Sequence, residues 1–177
     1  MKTAAKFKKP PPPLNEARLR TLALHYVGKY ATTRSKLTAY LTRKIGERGW
    51  DGERFAEVEA LVEQFTELGY VNDAQFAESR SRSFVARGFG KQRLDADLRA
   101  VGITESDASD AKEYMSESAL QSAHNYARRK RIGPYAPEIA PPDRQYKQLQ
   151  GFLRAGHDFE LAKRFVRAGP GDEVSEE

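Results

Sequence analysis

The sequence predicts an all-α protein built from about three tandem three-helix repeats, and three observations carry that prediction. Apolar residues recur at the three-to-four-residue spacing of a helix, with little of the two-residue alternation of a half-buried strand. Of the 9 prolines, all but Pro170 gather in 10–13 and 134–142, which leaves long stretches where helices can run. The motif Leu-x-x-x-Leu returns at the centre of three helices, as Leu37/Leu41, Leu94/Leu98 and Leu149/Leu153, with starts 57 and 55 residues apart. A lone three-helix unit has a small core, and stacking neighbours buries more.

The elements follow in order. Asn15 is a good N-cap for a first helix that places Leu19, Leu22, Ala23, Tyr26 and Tyr30 on one face. The second starts near Thr33 and presents Leu37, Tyr40, Leu41 and Ile45, with Gly46 and Gly49 as stop signals. A third is expected from Asp51 through Phe55, Val58, Leu61, Val62, Phe65 and Leu68 to Gly69. The fourth begins at Asn72 or Asp73 and carries Phe76, Ala77, Phe84 and Val85 before Gly88. A fifth covers about 91–101, with Leu94, Leu98 and Val101 inward. Thr104 and Asp107 form a capping-box-like start for the sixth, which places Ala108, Ala111, Tyr114 and Met115 together. A seventh runs over roughly 118–131 and is followed by a proline-rich insertion. The eighth starts near Asp143 with Tyr146, Leu149, Phe152 and Leu153; the ninth starts at Asp158 and buries Phe159, Ala162, Phe165 and Val166.

The expected organisation is a basic, proline-rich disordered tail over 1–13, repeats over 14–69, 70–117 and 118–169 with insertion 132–142, and a frayed acidic tail over 170–177. Net charge is +5, from 30 Lys and Arg against 25 Asp and Glu, and the two tails cancel. Charge follows the repeat. Residues 29–48 sum to +5 and 53–67 to −4, then 80–99 to +4 and 105–117 to −4. An elongated protein with one basic face would account for this alternation; ordinary solvated helix faces would account for the acidic helices equally well. A modest basic excess suits a polyanionic or acidic partner, and it also suits solubility alone.

The absence of cysteine excludes disulfides, thiol catalysis and thiolate metal sites, and fits a cytoplasmic protein. No apolar run approaches the ~18 residues of a membrane span, and the basic start at Met1 leads into no apolar segment, so neither a membrane anchor nor a secretory signal is expected. His25, His124 and His157 show no metal-ligand spacing, and His25 is expected as a partly buried structural residue. Gly88-Phe89-Gly90-Lys91 is too short for a phosphate loop and reads as a tight turn between helices that uses glycine's tolerance of positive φ. Acidic pairs such as Asp107 and Asp110 sit at expected helix starts and surfaces, where capping explains them better than acid–base catalysis. No catalytic, cofactor or metal site is expected, and hence no enzyme.

The basic clusters are the functional signal. Arg128-Arg129-Lys130-Arg131 exceeds what a helix C-terminus needs for its dipole. Arg80, Arg82, Arg87, Lys91 and Arg93 surround the tight turn of the middle unit, where they suit phosphates or acidic side chains. Tyr70 and Trp50 sit beside glycines at helix boundaries, and packing of the turn is their preferred role.

The segments Ala31 to Leu41, Glu47-Arg48-Gly49-Trp50, Gly69-Tyr70-Val71-Asn72-Asp73-Ala74-Gln75-Phe76-Ala77, Arg87 to Leu94, Leu98 to Ile103 and Asp158 to Arg167, in that order and spacing, resemble the RecX family of recombination regulators. The likeness covers roughly 15–169. Lys91 departs from the proline that many members carry there, Lys36 from an acidic residue, and insertion 132–142 interrupts the third unit. The resemblance implies three three-helix units in an elongated, curved array. It also implies a regulator in DNA repair, recombination and the SOS response that docks in the groove of the RecA filament on DNA; a cytoplasmic monomer is expected, with single- or double-stranded DNA as a further partner. Its expected effect is to modulate, most often inhibit, RecA ATP hydrolysis and strand exchange. Arg80, Arg82, Arg87, Lys91, Arg93, Arg128, Arg129, Lys130 and Arg131 are then the filament-binding candidates. The alternative is a helical protein acting directly on DNA through its basic helices.

Overall fold

A computed structural model describes residues 11–175, and among these every regular element is helical. The order is α1 (Glu16–Lys29), α2 (Arg34–Arg48), α3 (Val58–Glu67), α4 (Asp73–Arg87), α5 (Lys91–Ala100), α6 (Glu105–Glu117), α7 (Ala119–Lys130), a 3₁₀ turn (Gly133–Tyr135), α8 (Pro142–Arg154) and α9 (Phe159–Arg167). None is long and apolar enough to cross a membrane. Short polar side chains set the starts. Asn15, Thr33, Thr104 and Asp158 each accept a backbone N–H of the first helical turn, which satisfies a donor that the helix cannot.

The chain forms two compact units, up to Asn72 and from Asp73 onward. In the first, α1–α3 enclose Leu14, Leu19, Leu37, Leu41, Val62 and Phe65. The expected start of α3 at Asp51 is not observed. Leu14 N–H donates to Gly49 O (2.9 Å) and Asp51 N–H to Leu14 O (2.7 Å), so the chain after Trp50 is committed to an extended pairing. Trp50 packs on this core and donates its indole N–H to Arg54 O at 2.6 Å. Phe55, expected on the inner face, is instead 95% exposed. His25 and Tyr30 are also exposed rather than structural, and Gly46 lies inside α2, which ends at Gly49 with φ 79°. Of the expected N-terminal tail, 1–10 lies outside the described residues, while the carbonyls of Pro12 and Pro13 accept from Arg48 and Arg18.

The second unit has two adjoining cores. Around α4–α6 lie Ala77, Phe84, Val85, Leu94, Leu98 and Met115; around α7–α9 lie Ala123, Tyr126, Ile132, Phe152, Phe165 and Val166. Phe89 packs against both. In α8 the fully buried residue is Phe152, while Leu149 and Leu153 are only partly buried, so the leucine motif keeps its core role in α2 and α5 alone. Tyr114, Tyr146 and Phe159, expected inward, are exposed. The acidic end does not begin to fray at 170: Val174 is buried, its carbonyl 3.2 Å from His124 Nε2, and Ser175 O accepts from Arg164 at 2.7 Å.

The α4–α5 turn ties the two cores together. Gly88 takes φ 70°, and a Cβ there would lie 2.4 Å from the backbone N of Tyr126. Gly90 meets the α8–α9 turn just as closely, at 2.2 Å from Gly156 O. Gly90 N–H donates to Ala155 O and Gln92 N–H to Gly156 O (2.8 and 3.2 Å), so the open N-terminus of α5 satisfies carbonyls at the end of α8. Beside them His157, 2% exposed, donates from Nε2 to Gly88 O at 3.1 Å and lies among Tyr126 and Phe152. Burial holds its pKa down from 6.5 to about 4, against the smaller opposing effect of the Gly88 hydrogen bond.

Two predictions follow from this junction. Gly88→Ala combines a left-handed backbone with contact on immobile backbone atoms, and should destabilise the second unit by about 2 kcal/mol or more, measured as a lower urea midpoint. Because the folded-state pKa of His157 is depressed, its contribution is complete above the ordinary value and is lost as pH falls from 6.5 towards 4. The loss is on the order of 3 kcal/mol. Denaturation midpoints of the wild type should fall across that window, and those of His157→Asn should fall much less.

Candidate basic binding face

The turn that joins the cores also sets the position of the cations. Arg87 occupies the last turn of α4, where the helix dipole favours it. Lys91 and Arg93 occupy the first turn of α5, which has no acidic residue, so the dipole opposes them. The nearby backbone amides of Gly90 and Gln92 are already bonded to Ala155 and Gly156. Two of the amides at this end of α5 are thus taken, which leaves side chains as the larger part of what an anion could meet there.

Phe89 organises those side chains. Its N–H donates to Phe84 O (2.9 Å), its carbonyl accepts from Ser122 Oγ (2.8 Å), and its ring tilts against Phe84 with centroids 5.4 Å apart. Three guanidinium groups surround that ring, Arg93 at 4.2 Å, Arg87 at 4.8 Å and Arg129 at 5.5 Å from its centroid. Arg129 also lies 5.7 Å from the ring of Tyr126. Each contact is worth about 0.5–1 kcal/mol at an exposed site and restrains a side chain that would otherwise wander. Among the described residues none of these three arginines has a carboxylate within ion-pair distance.

Arg80 differs. It makes a two-pronged bond to Asp97, Nε to Oδ2 at 2.7 Å and one terminal nitrogen to Oδ1 at 2.9 Å, while its guanidinium faces Phe84 at 5.4 Å. The hydrogen bond to Asp97 raises its pKa further, so it stays charged and fixed. Together Arg80, Phe84, Arg87, Phe89, Arg93 and Asp97 line a shallow cleft of about 400 Å³.

The structure thus brings together Arg80, Arg87, Arg93 and Arg129 from the candidate set. The others face different partners. Arg82 pairs with Glu78 at 2.9 Å, Lys91 donates to Ser116 Oγ at 2.9 Å, and Arg128 donates to Tyr135 Oη at 3.2 Å. Lys130 is exposed at the end of α7, and Arg131 stops that helix in a left-handed conformation, φ 54°. The sequence reading treated Phe89 only as a turn residue. The available signal was an aromatic residue between two glycines, with cations two positions before and after it. Arg154 was missed as well: with Arg129 it acts on the Tyr126 phenol, lowering a pKa that burial raises more strongly. A single arginine in the last turn of an amphipathic helix carries no sequence signal.

Comparison with known proteins matches this architecture. The family model "RecX, second three-helix domain" matches residues 72–111, the stretch of α4, α5 and the first part of α6. The regulatory protein RecX of Myxococcus xanthus (strain DK1622) is 32% identical over 165 residues, covering 86% of each chain. That of Thermobifida fusca (strain YX) is 32% identical over 154 residues, covering 85% of this chain and 78% of its own. The crystal structure of RecX from Lactobacillus salivarius superposes with a TM-score of 0.61 over 85% of this chain and 94% of that one, at 20% identity, which speaks for the fold. With a relative of this identity aligned over most of both chains, the protein belongs to the RecX family of regulatory proteins.

Proposed function

We propose that this protein regulates recombination by binding the RecA filament on DNA and lowering its ATP hydrolysis and strand exchange. The contact is made through the arginines gathered on Phe89. Family membership supports the regulatory role. The observation that carries the placement is the trio Arg87, Arg93 and Arg129, held on one ring with no carboxylate partner among the described residues. Such groups suit the acidic side chains or phosphates of a filament, because little is lost in freeing them from partners within the chain.

In this reading the chain acts without chemistry of its own, as a cytoplasmic monomer. Its repeats run over 14–69, 70–117 and 118–169, a division supported by one apolar cluster for each set of three helices. Arg80 serves to brace α4 against α5, and Arg82, Lys91, Arg128, Lys130 and Arg131 supply the outer field rather than the centre of the contact.

The test is RecA ATP hydrolysis on single-stranded DNA, titrated with wild type and with a combined Arg87→Ala, Arg93→Ala, Arg129→Ala variant of wild-type circular dichroism. Wild type should lower hydrolysis, and the variant should need at least about tenfold more protein for the same effect. Equal potency of the folded variant would remove the face from the assignment. No effect of the wild type on hydrolysis, with tight and salt-steep binding to bare duplex, would instead identify a direct DNA-binding protein.

A further inference from the structure

A second cluster of rings and cations lies in the first unit, far along the chain from the arginine trio. Tyr26 stands in the last turn of α1, Tyr30 follows as the residue that caps it, and Tyr40 belongs to α2. Tyr26 and Tyr40 stack with centroids 4.1 Å apart and planes 16° apart, and Tyr30 continues the row at 5.3 Å from Tyr26. Tyr26 and Tyr40 only border the core, and Tyr30 is 50% exposed. Cations sit against the same rings: Lys29 is 5.4 Å from the Tyr30 centroid, while Arg43 and Lys44 are 5.6 and 5.9 Å from that of Tyr40. Rings and cations line one open cleft of about 790 Å³, and Lys36 lies on its wall.

Packing alone does not call for this arrangement. A core aromatic is covered, whereas this row ends in a ring half open to solvent and rimmed by positive charge. The carboxylate of Glu47 bonds Arg43 and Lys44, each at 2.6 Å, and those bonds hold its pKa below the usual range, with Lys44 the larger cause. Exposed pairs of that kind are worth little, so an incoming phosphate displaces Glu47 at small cost.

We propose that this cleft binds single-stranded nucleic acid, with an unpaired base stacked on Tyr30 and neighbouring phosphates on Lys29, Arg43 and Lys44. Stacking on an aromatic face accepts any base, and a basic groove follows the backbone. A duplex fits poorly because its bases are already stacked on one another. An acidic peptide would use the cations and leave the rings idle. The site is separate from the arginine trio and needs no filament, so its failure would leave the RecA reading standing.

The experiment is fluorescence anisotropy of a labelled oligothymidylate with the full chain, in the Arg87→Ala, Arg93→Ala, Arg129→Ala background so that the other face contributes nothing. Tyr30→Ala should weaken binding about tenfold, and Tyr30→Phe should restore it, since the ring and not the hydroxyl stacks. Glu47→Gln should tighten binding by releasing two cations. Lys29→Ala, at an exposed position outside the core, should flatten the salt dependence by about 0.7 in log–log slope. A duplex of equal length should bind at least about tenfold more weakly. Unchanged affinity of folded Tyr30→Ala, or duplex bound as tightly as single strand, would overturn the proposal. So would a polyglutamate peptide that competes fully and is indifferent to Tyr30→Ala.

Discussion

The end of one helix completing the start of another is the interaction on which the second unit depends. The N-terminus of α5 has amides without partners, the C-terminus of α8 has carbonyls without partners, and the two meet through Gly90, Gln92, Ala155 and Gly156. Their partial charges are opposite, so the dipoles of both helices favour the junction as well. Backbone can approach backbone this closely only where Cβ atoms are missing, which is why glycine stands on both sides, at Gly90 and Gly156. His157 then closes the turn from beneath, and its neutral state is part of the joint.

The electrostatic arrangement follows from that joint. Phe89 is fixed between two cores, and it in turn gives three arginines a common surface. Like charges gathered there repel one another, and the ring offsets part of the repulsion. Arg80 shows the other way to hold an arginine: a carboxylate takes up its fork, and the group becomes a brace. Side chains of one kind within one cleft thus differ in whether a carboxylate takes up the fork, since all of them also lie against a ring.

Much of this was legible in the chain. The helices announced themselves through their caps and periodic apolar faces, and Asn15, Thr33, Thr104 and Asp158 cap where short polar side chains predict they should. Residues 51–57 misled because periodicity carries no information about Leu14, whose backbone claims Gly49 and Asp51 from some 35 positions away. In α8 Leu149, Phe152 and Leu153 were all expected inward, and packing against Tyr126 and Phe165 fully buries the phenylalanine while the leucines stay partly buried. The basic clusters were visible as composition. Their convergence was not, since Arg129 reaches Phe89 only through the tertiary contact of α7 with the turn.

The separation in sequence of the partners at that turn has a consequence for the protein as it is made. Arg87 and Arg93 leave the ribosome early, Arg129 follows 36 residues after Arg93, and the carbonyls of Ala155 and Gly156 that fix the start of α5 come later still. A nascent chain that has finished α7 carries all three cations without the junction. The start of α5 gains its last two backbone partners only when the end of α8 docks, so a chain that stalls or is cut before residue 155 carries the charge without the junction that fixes that helix.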